Sequence, residues 1–138
     1  MLDNKLFSEV RKYIFEYTKN KLPPQVVYHN FKHTEEVVNA ALEIGKAENI
    51  SESDLEILLL ASWFHDIGFV IGFENHEESS KKIAAEYLKK QGFSEEKIKG
   101  VCNIIDATKM PQNPETHLQK IICDADLIHL GKKDFKEK

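Results

Sequence analysis

The dipeptide His65-Asp66 combines an imidazole and a carboxylate at the end of an apolar stretch. Residues 58–64 are almost entirely apolar, and Gly68 follows the dipeptide as a residue that could stop a helix. An ionised carboxylate beside an imidazole at the end of a core helix needs a compensating partner. The commonest partners are a hydrogen-bond network and a metal cation, and a metal would require further ligands from elsewhere in the chain.

Further candidate ligands lie far from this pair on both sides. His29 and His33 precede it, and Asp124 and Asp126 follow it. Two His and two Asp side chains form a mixed nitrogen and oxygen set, which suits a first-row divalent metal better than Ca²⁺ or a structural thiolate zinc. Helical spacing does not choose between Asp124 and Asp126, because each of them shares a helix face with an isoleucine.

The order of these residues resembles the HD superfamily of metal-dependent phosphohydrolases, whose pattern is a His, then a His-Asp pair, then a distant Asp. In this chain the pattern falls on His33, His65-Asp66 and Asp126. The resemblance implies that these four residues hold one divalent metal ion, with Mn, Mg, Co, Fe, Ni and Zn all as candidates. It also implies that Asp66 is catalytic, because it would bridge the metal and the attacking water. Asp124 would then orient a neighbouring His.

Two segments sharpen the resemblance, which covers roughly residues 26–131. Residues 28–34, YHNFKHT, are similar to the YHNxxH opening of cyclic-nucleotide phosphodiesterases and their bacterial relatives, and residues 124–131, DADLIHLG, are similar to the ending of small bacterial members. Two positions depart from the pattern. Thr108 stands where two-metal members carry a His, which favours a site with one metal; the alternative is that Asp106 supplies a ligand for a second metal. Phe69 stands where nucleotidase-like members carry an acid, which argues against that branch.

Four further residues are candidates for contact with a substrate. His29, four residues before His33, lies where the phosphodiesterase-like pattern places a His that protonates a leaving oxygen; the alternative is a loop His bonded to a backbone carbonyl. His76 either contacts a substrate phosphate or a second metal, or is an exposed residue of a first helical turn. Lys32 and Lys109 flank the predicted site loops and are candidate phosphate anchors, although most Lys and Arg side chains are solvated surface.

Composition predicts an ordinary globular protein in one domain over residues 1–138. The net charge of −4 offers no basic surplus for nucleic acid, so a small phosphorylated substrate is the expected partner, and a homodimer stays open. No signal peptide or long apolar run is present, which predicts a cytoplasmic protein without a membrane span. Cys102 and Cys123 are expected to be buried, reduced thiols rather than a disulfide. Family members often continue further, so we expect a short or truncated form.

Apolar periodicity predicts an all-α fold, a compact bundle of about six helices. No segment alternates with the period of two that a strand would show. The predicted helices cover about residues 4–21, 33–49, 53–67, 75–91, 94–105 and 115–130. Residues 25–32 are predicted to form a loop that delivers His29 and His33 to the start of the second helix, and residues 68–75 a loop over the site mouth.

Three functions are compatible with these residues. The first is a metal-dependent phosphohydrolase acting on a small phosphate ester, such as a nucleotide or a related phosphomonoester or diester. The second is a non-catalytic ligand-binding or regulatory module whose metal is structural. The third is a helical scaffold in which the polar residues form only a hydrogen-bonded core network, and it predicts that chelators leave the stability unchanged.

Overall fold

A computed structural model of the chain describes residues 4–70, 76–108 and 114–126, and for residues 28, 29, 69 and 70 it describes the backbone alone. Within these ranges the fold is all-α and contains no strand, as predicted. The helices are α1 (Asn4–Lys19), α2 (Pro24–Ala47), α3 (Glu52–Phe64), α4 (His76–Lys90) and α5 (Glu95–Asp106), with a short 3-10 helix at Ile67–Val70 and a last helix, α6, described over residues 117–126. None of these helices is both long and apolar enough to cross a membrane.

Helix α3 is the central element of the bundle. Ser51 is its N-cap, and the Ser51 side chain accepts a hydrogen bond from the backbone N–H of Asp54. The helix is buried nearly all round, because it packs against α1, α2, α4 and α5. It ends at Phe64, three residues before the predicted end, so that His65 and Asp66 lie in the turn between α3 and the 3-10 helix.

Helix α2 begins much earlier than the sequence predicted, and the predicted loop over residues 25–32 is wrong. Pro23, with φ −60° and ψ 150°, is the N-cap, and Pro24 opens the helix. Proline is well tolerated at the first helical position, where its missing N–H would have no intrahelical acceptor. His29 and His33 therefore lie one turn apart on a single continuous helix, rather than in a loop and on a first turn.

The second half of the chain closes the core around α3. Gly92 follows α4 with φ +86°, the left-handed conformation in which glycine is favoured, and Ser94 caps α5 by accepting from the N–H of Lys97. Helix α6 buries Ile121, Ile122 and Ala125 in the same core. The predicted end of this helix near residue 130 and the predicted cap at residue 75 lie outside the described residues.

Both cysteines are free thiols, as predicted; Cys123 is buried on α6, whereas Cys102, on α5, is half-buried rather than buried. Burial, reinforced by the neighbouring Asp126 and Asp124 carboxylates, raises the pKa of the Cys123 thiol to about 11. It is therefore a packing residue rather than a reactive thiolate at neutral pH. The assignment of residues 1–138 to one domain stays a prediction.

Candidate metal centre

Three side chains from two separate elements converge beside the end of α3. His33 comes from α2, and His65 and Asp66 come from the turn after α3. Nε2 of His33 and Nε2 of His65 each lie 3.3 Å from Oδ2 of Asp66. One ligand atom from each of the three residues lies within 4.8 Å of the other two. We call His33, His65 and Asp66 the metal triad, because two imidazole nitrogens and a carboxylate oxygen suit a first-row divalent cation.

Helix α6 brings Asp126, and not Asp124, to this triad. Oδ1 of Asp126 lies 3.3 Å from Nε2 of His33, and the Asp126 side chain is buried. Asp124 is exposed. Helical spacing left the choice between Asp124 and Asp126 open, and the structure places Asp126 beside the triad. All four residues of the predicted ligand set meet in one place.

The orientation of His65 leaves one nitrogen pointing at the triad. Its Nδ1 lies 2.7 Å from the carbonyl oxygen of Ser62, and because a carbonyl only accepts hydrogen bonds, Nδ1 must be the donor. Nε2 is then an acceptor in the neutral ring. The side chain is 1% exposed, and Nε2 makes no hydrogen bond to any described residue although Asp66 Oδ2 is 3.3 Å away. Two buried acceptors facing each other require a proton or a cation between them, so these residues fit a bound metal.

In the metal-free protein, protons neutralise the triad. Burial alone would lower the pKa of His33, but hydrogen bonds with Asp126 and Asp66 outweigh it and raise that pKa to about 9. For His65 burial also acts to lower the pKa, and the Asp66 charge overcomes it, so the pKa is raised. Burial opposes ionisation of Asp66, yet the neighbouring His65 and His33 hold the pKa of its carboxyl well below the usual range. A bound metal would take the place of these protons.

His76 and Glu77, on the first turn of α4, stand on the other side of Asp66. Nε2 of His76 lies 3.8 Å from Oδ1 of Asp66 and 3.0 Å from Oε2 of Glu77. The two oxygens of Asp66 therefore face different partners, Oδ2 toward His33 and His65 and Oδ1 toward His76. Glu77 was not singled out from the sequence, because an acidic residue in a first turn usually faces solvent. Here it is buried beside an imidazole.

For the other residues singled out from the sequence, the described part of the chain shows no contact with the triad. His29 lies on α2 one turn before His33, and its side chain is outside the described part of the chain. Lys32 is exposed on α2, and Lys109 lies outside the described residues. Thr108 is buried, and its hydroxyl donates to the carbonyl of Ile105 at 2.7 Å. The roles of these residues therefore stay predictions.

Two residues that support the triad were not predicted in that role. The hydroxyl of Ser80, on α4, donates to the carbonyl oxygen of His65 at 2.9 Å and accepts from the N–H of Gly68 at 2.8 Å. Gly68 was predicted as a helix stop, but α3 has already ended at Phe64. A Cβ at position 68 would lie 2.0 Å from the carbonyl oxygen of His76, so a glycine is required there for close packing against α4.

Comparison with known proteins agrees with this geometry. Residues 30–131 match the family model of the HD domain. The chain belongs to the HD-domain family. The matched range contains the metal triad and Asp126, and it begins one residue after His29. Membership confirms the resemblance read from the sequence and places this HD-domain protein in a superfamily of metal-dependent hydrolases.

The fold of this HD-domain protein is similar to a crystal structure of a predicted HD superfamily hydrolase from an uncultured Thermotogales bacterium. The TM-score is 0.69 at 24% sequence identity, over 86% of this chain and 67% of that chain. At this identity the likeness supports the fold. No curated protein matches the chain.

Proposed function

We propose that this HD-domain protein is a metal-dependent phosphohydrolase that acts on a small phosphate ester, such as a nucleotide or a related phosphomonoester or diester. The observation that carries the proposal is the buried Nε2 of His65, which faces Oδ2 of Asp66 across 3.3 Å without forming a hydrogen bond. His33, His65, Asp66 and Asp126 would hold one divalent cation, which when bound would lower the pKa of a coordinated water and neutralise phosphoryl charge.

The chain's own residues would divide the remaining work. Asp66 is ionised at neutral pH, and its Oδ1, which does not face His33 or His65, would accept a hydrogen bond from an attacking water and orient it. His76, held against Glu77 and directed at that oxygen, would contact a phosphate oxygen of the substrate. His29 would protonate the leaving group from its position one turn before His33. Lys32 and Lys109 are proposed as phosphate anchors on the basis of their positions in the sequence alone.

Access to solvent supports catalysis over the ligand-binding alternative. The side chains of His33 and Asp66 are 23% and 18% exposed, so the triad is open on one side. Catalytic metal sites keep an open position for water or substrate, whereas structural sites are closed by four protein ligands. One observation favours the alternative of a non-catalytic, metal-stabilised module, because Asp126 supplies a fourth protein side chain.

A scaffold held only by hydrogen bonds is the weakest of the three hypotheses. It would require every buried polar group to find a protein partner. Nε2 of His65 meets this requirement only when the ring is protonated and pairs with Asp66, whereas in the neutral ring it faces the carboxylate without a hydrogen bond. The expected phosphorylated partner, the absence of nucleic acid and membrane partners, a homodimer and a cytoplasmic location are predictions that rest on the sequence.

The experiment is hydrolysis of a panel of nucleotides, cyclic nucleotides and generic phosphate esters with Mn²⁺, Mg²⁺, Co²⁺ or Zn²⁺. Asp66→Ala removes the central carboxylate, and Asp54→Asn, at the exposed opposite end of α3, is the matched control. Metal-dependent turnover that Asp54→Asn retains and Asp66→Ala loses is the expected result. A wild-type protein that binds one metal tightly and hydrolyses nothing in the panel would instead favour the ligand-binding module.

A further inference from the structure

One buried hydroxyl ties helix α4 to the turn that carries Asp66. Ser80 is 0% exposed, and its Oγ donates to the carbonyl oxygen of His65 at 2.9 Å while accepting from the N–H of Gly68 at 2.8 Å. The first of these groups belongs to the peptide unit directly before Asp66, and the second lies two residues after it. A single side chain therefore holds the backbone on both sides of the central carboxylate.

The contact between these two elements is too close to tolerate a side chain at Gly68. A Cβ there would lie 2.0 Å from the carbonyl oxygen of His76 and 2.8 Å from both the backbone nitrogen and the hydroxyl of Ser80. The backbone of the 3-10 helix thus rests directly on the first two turns of α4. His76 and Ser80 are four residues apart, so they lie on the same face of α4 and both point toward the turn.

We propose that Ser80 is a positioning residue for the metal triad. It holds the turn of residues 65–68 in the conformation in which His65 Nε2 and Asp66 Oδ2 stand 3.3 Å apart, and it fixes the distance of His76 from the same carboxylate. The triad is then shaped before any cation arrives, so less ordering is needed on binding. The inference rests on the proposed function, because it assumes that the triad binds a metal.

A matched pair of variants separates positioning from simple packing. Ser80→Ala removes the bridging hydroxyl. Thr18→Val removes another buried hydroxyl, one that donates at 2.8 Å to the carbonyl of Ile14 within α1, a helix that contributes no residue to the triad. Both variants lose a buried hydrogen bond to a carbonyl, but only the first loses a hydrogen bond to the turn. Ser80→Cys keeps the size of the side chain and weakens both hydrogen bonds, and a thiol is a poor ligand for the hard cation Mn²⁺.

The measurements are the Kd for Mn²⁺ by calorimetry, the urea midpoint of the metal-free protein, and hydrogen exchange at the Gly68 amide. We expect Ser80→Ala to raise the Kd by about 10- to 100-fold, as is usual for partners that orient metal ligands, with Ser80→Cys in between. Exchange at Gly68 should accelerate in both Ser80 variants. Thr18→Val should keep the wild-type Kd and the wild-type exchange rate at Gly68, while its urea midpoint falls.

The outcomes separate the two proposals. If Ser80→Ala lowers the urea midpoint but leaves the Kd at the wild-type value, Ser80 has only a packing role and the inference is wrong, while the metal site stands. If wild-type protein binds no Mn²⁺ and no other divalent cation, the proposed function fails, and the inference fails with it. Should Ser80→Ala not fold, Ser80→Cys decides: a wild-type Kd and unchanged Gly68 exchange would overturn the inference.

Discussion

Proton and metal should compete for the same place in the triad, and pH is the perturbation that reveals it. In the metal-free protein, Nε2 of His33 lies 3.3 Å from both Asp66 Oδ2 and Asp126 Oδ1, and its pKa is raised to about 9. A metal can coordinate this nitrogen only after the proton has left. We therefore expect binding of Mn²⁺ to tighten as the pH rises toward 9 and to level off above it.

The size of the pH effect on the Kd for Mn²⁺ follows from the pKa of His33. With one proton displaced, the Kd should fall about tenfold for each pH unit, or about 100-fold between pH 6.5 and 8.5. The raised pKa of His65 makes this a lower bound, because a second proton is displaced from that ring over part of the range. At pH 7.5 calorimetry in buffers of different ionisation enthalpy should report the release of about one to two protons for each metal bound.

The raised pKa of His33 also predicts how the stability of the folded protein depends on pH. A folded-state pKa above the ordinary value of 6.5 contributes stability that is fully present below pH 6.5 and is lost as the pH rises through about 9. The difference between a pKa of 6.5 and one of about 9 corresponds to at most about 3.4 kcal/mol of folding stability, and the partial exposure of the ring reduces this contribution to about 1–2 kcal/mol. The free energy of unfolding of metal-free protein, measured with urea, should fall by that amount between pH 6.5 and 10.

Two variants test whether a proton on His33 occupies the position of the metal. His33→Asn removes the titrating ring next to the carboxylates and should reduce proton release by about one. His117→Asn removes an exposed His on α6 and should leave the pH dependence unchanged. A Kd for Mn²⁺ that is constant between pH 6.5 and 8.5 in wild-type protein would refute the argument that a proton occupies the metal position.

Three further predictions use matched changes within the chain. Asp126→Ala should weaken Mn²⁺ binding by about 10-fold or more, whereas Asp124→Ala, at an exposed position on the same helix, should not; equal Kd values from calorimetry would exclude Asp126 as a ligand. Gly68→Ala should destabilise the protein by about 2 kcal/mol or more, because the backbone must move. Gly100→Ala, on α5, should stabilise it by up to about 1 kcal/mol, because its Cβ would make an ordinary 3.5 Å contact with Ile57 of α3. Urea unfolding measures both changes, and the same sign for the two would contradict the packing argument. A chelator should lower the melting temperature of wild-type protein purified with its metal but not that of His65→Gln, and a wild-type protein indifferent to the chelator would favour the hydrogen-bonded scaffold.

The candidate ligand set was the most predictable part of the molecule. His33, the His65-Asp66 pair and Asp126 are chemically distinctive and occur in a fixed order, so a pattern finds them without knowledge of the fold. Helical spacing alone could not choose between Asp124 and Asp126, because both positions share a face with apolar residues. That choice depended on where α6 packs against α2, which is a tertiary contact.

Helix boundaries and supporting residues were harder to predict, for physical reasons. A Pro-Pro pair ends a helix in most contexts, and here the second proline starts one, because the first helical position does not need its N–H. Ser80 looks like an ordinary polar residue of an amphipathic helix, and its partners lie 12 and 15 residues earlier in the chain. Glu77 looks like a solvated first-turn acid. Their roles exist only once α4 lies against the turn.

The early end of α3 is itself part of the candidate site. Consecutive residues in a continuous helix project about 100° apart, so neighbouring side chains do not face each other. His65 and Asp66 follow the last residue of α3, and their ligand atoms nevertheless converge to 3.3 Å. His65 itself keeps helical dihedral angles, φ −60° and ψ −29°, as the C-cap of α3, and the Ser80 hydroxyl on α4 holds the turn that follows through its bonds to the His65 carbonyl and the Gly68 N–H.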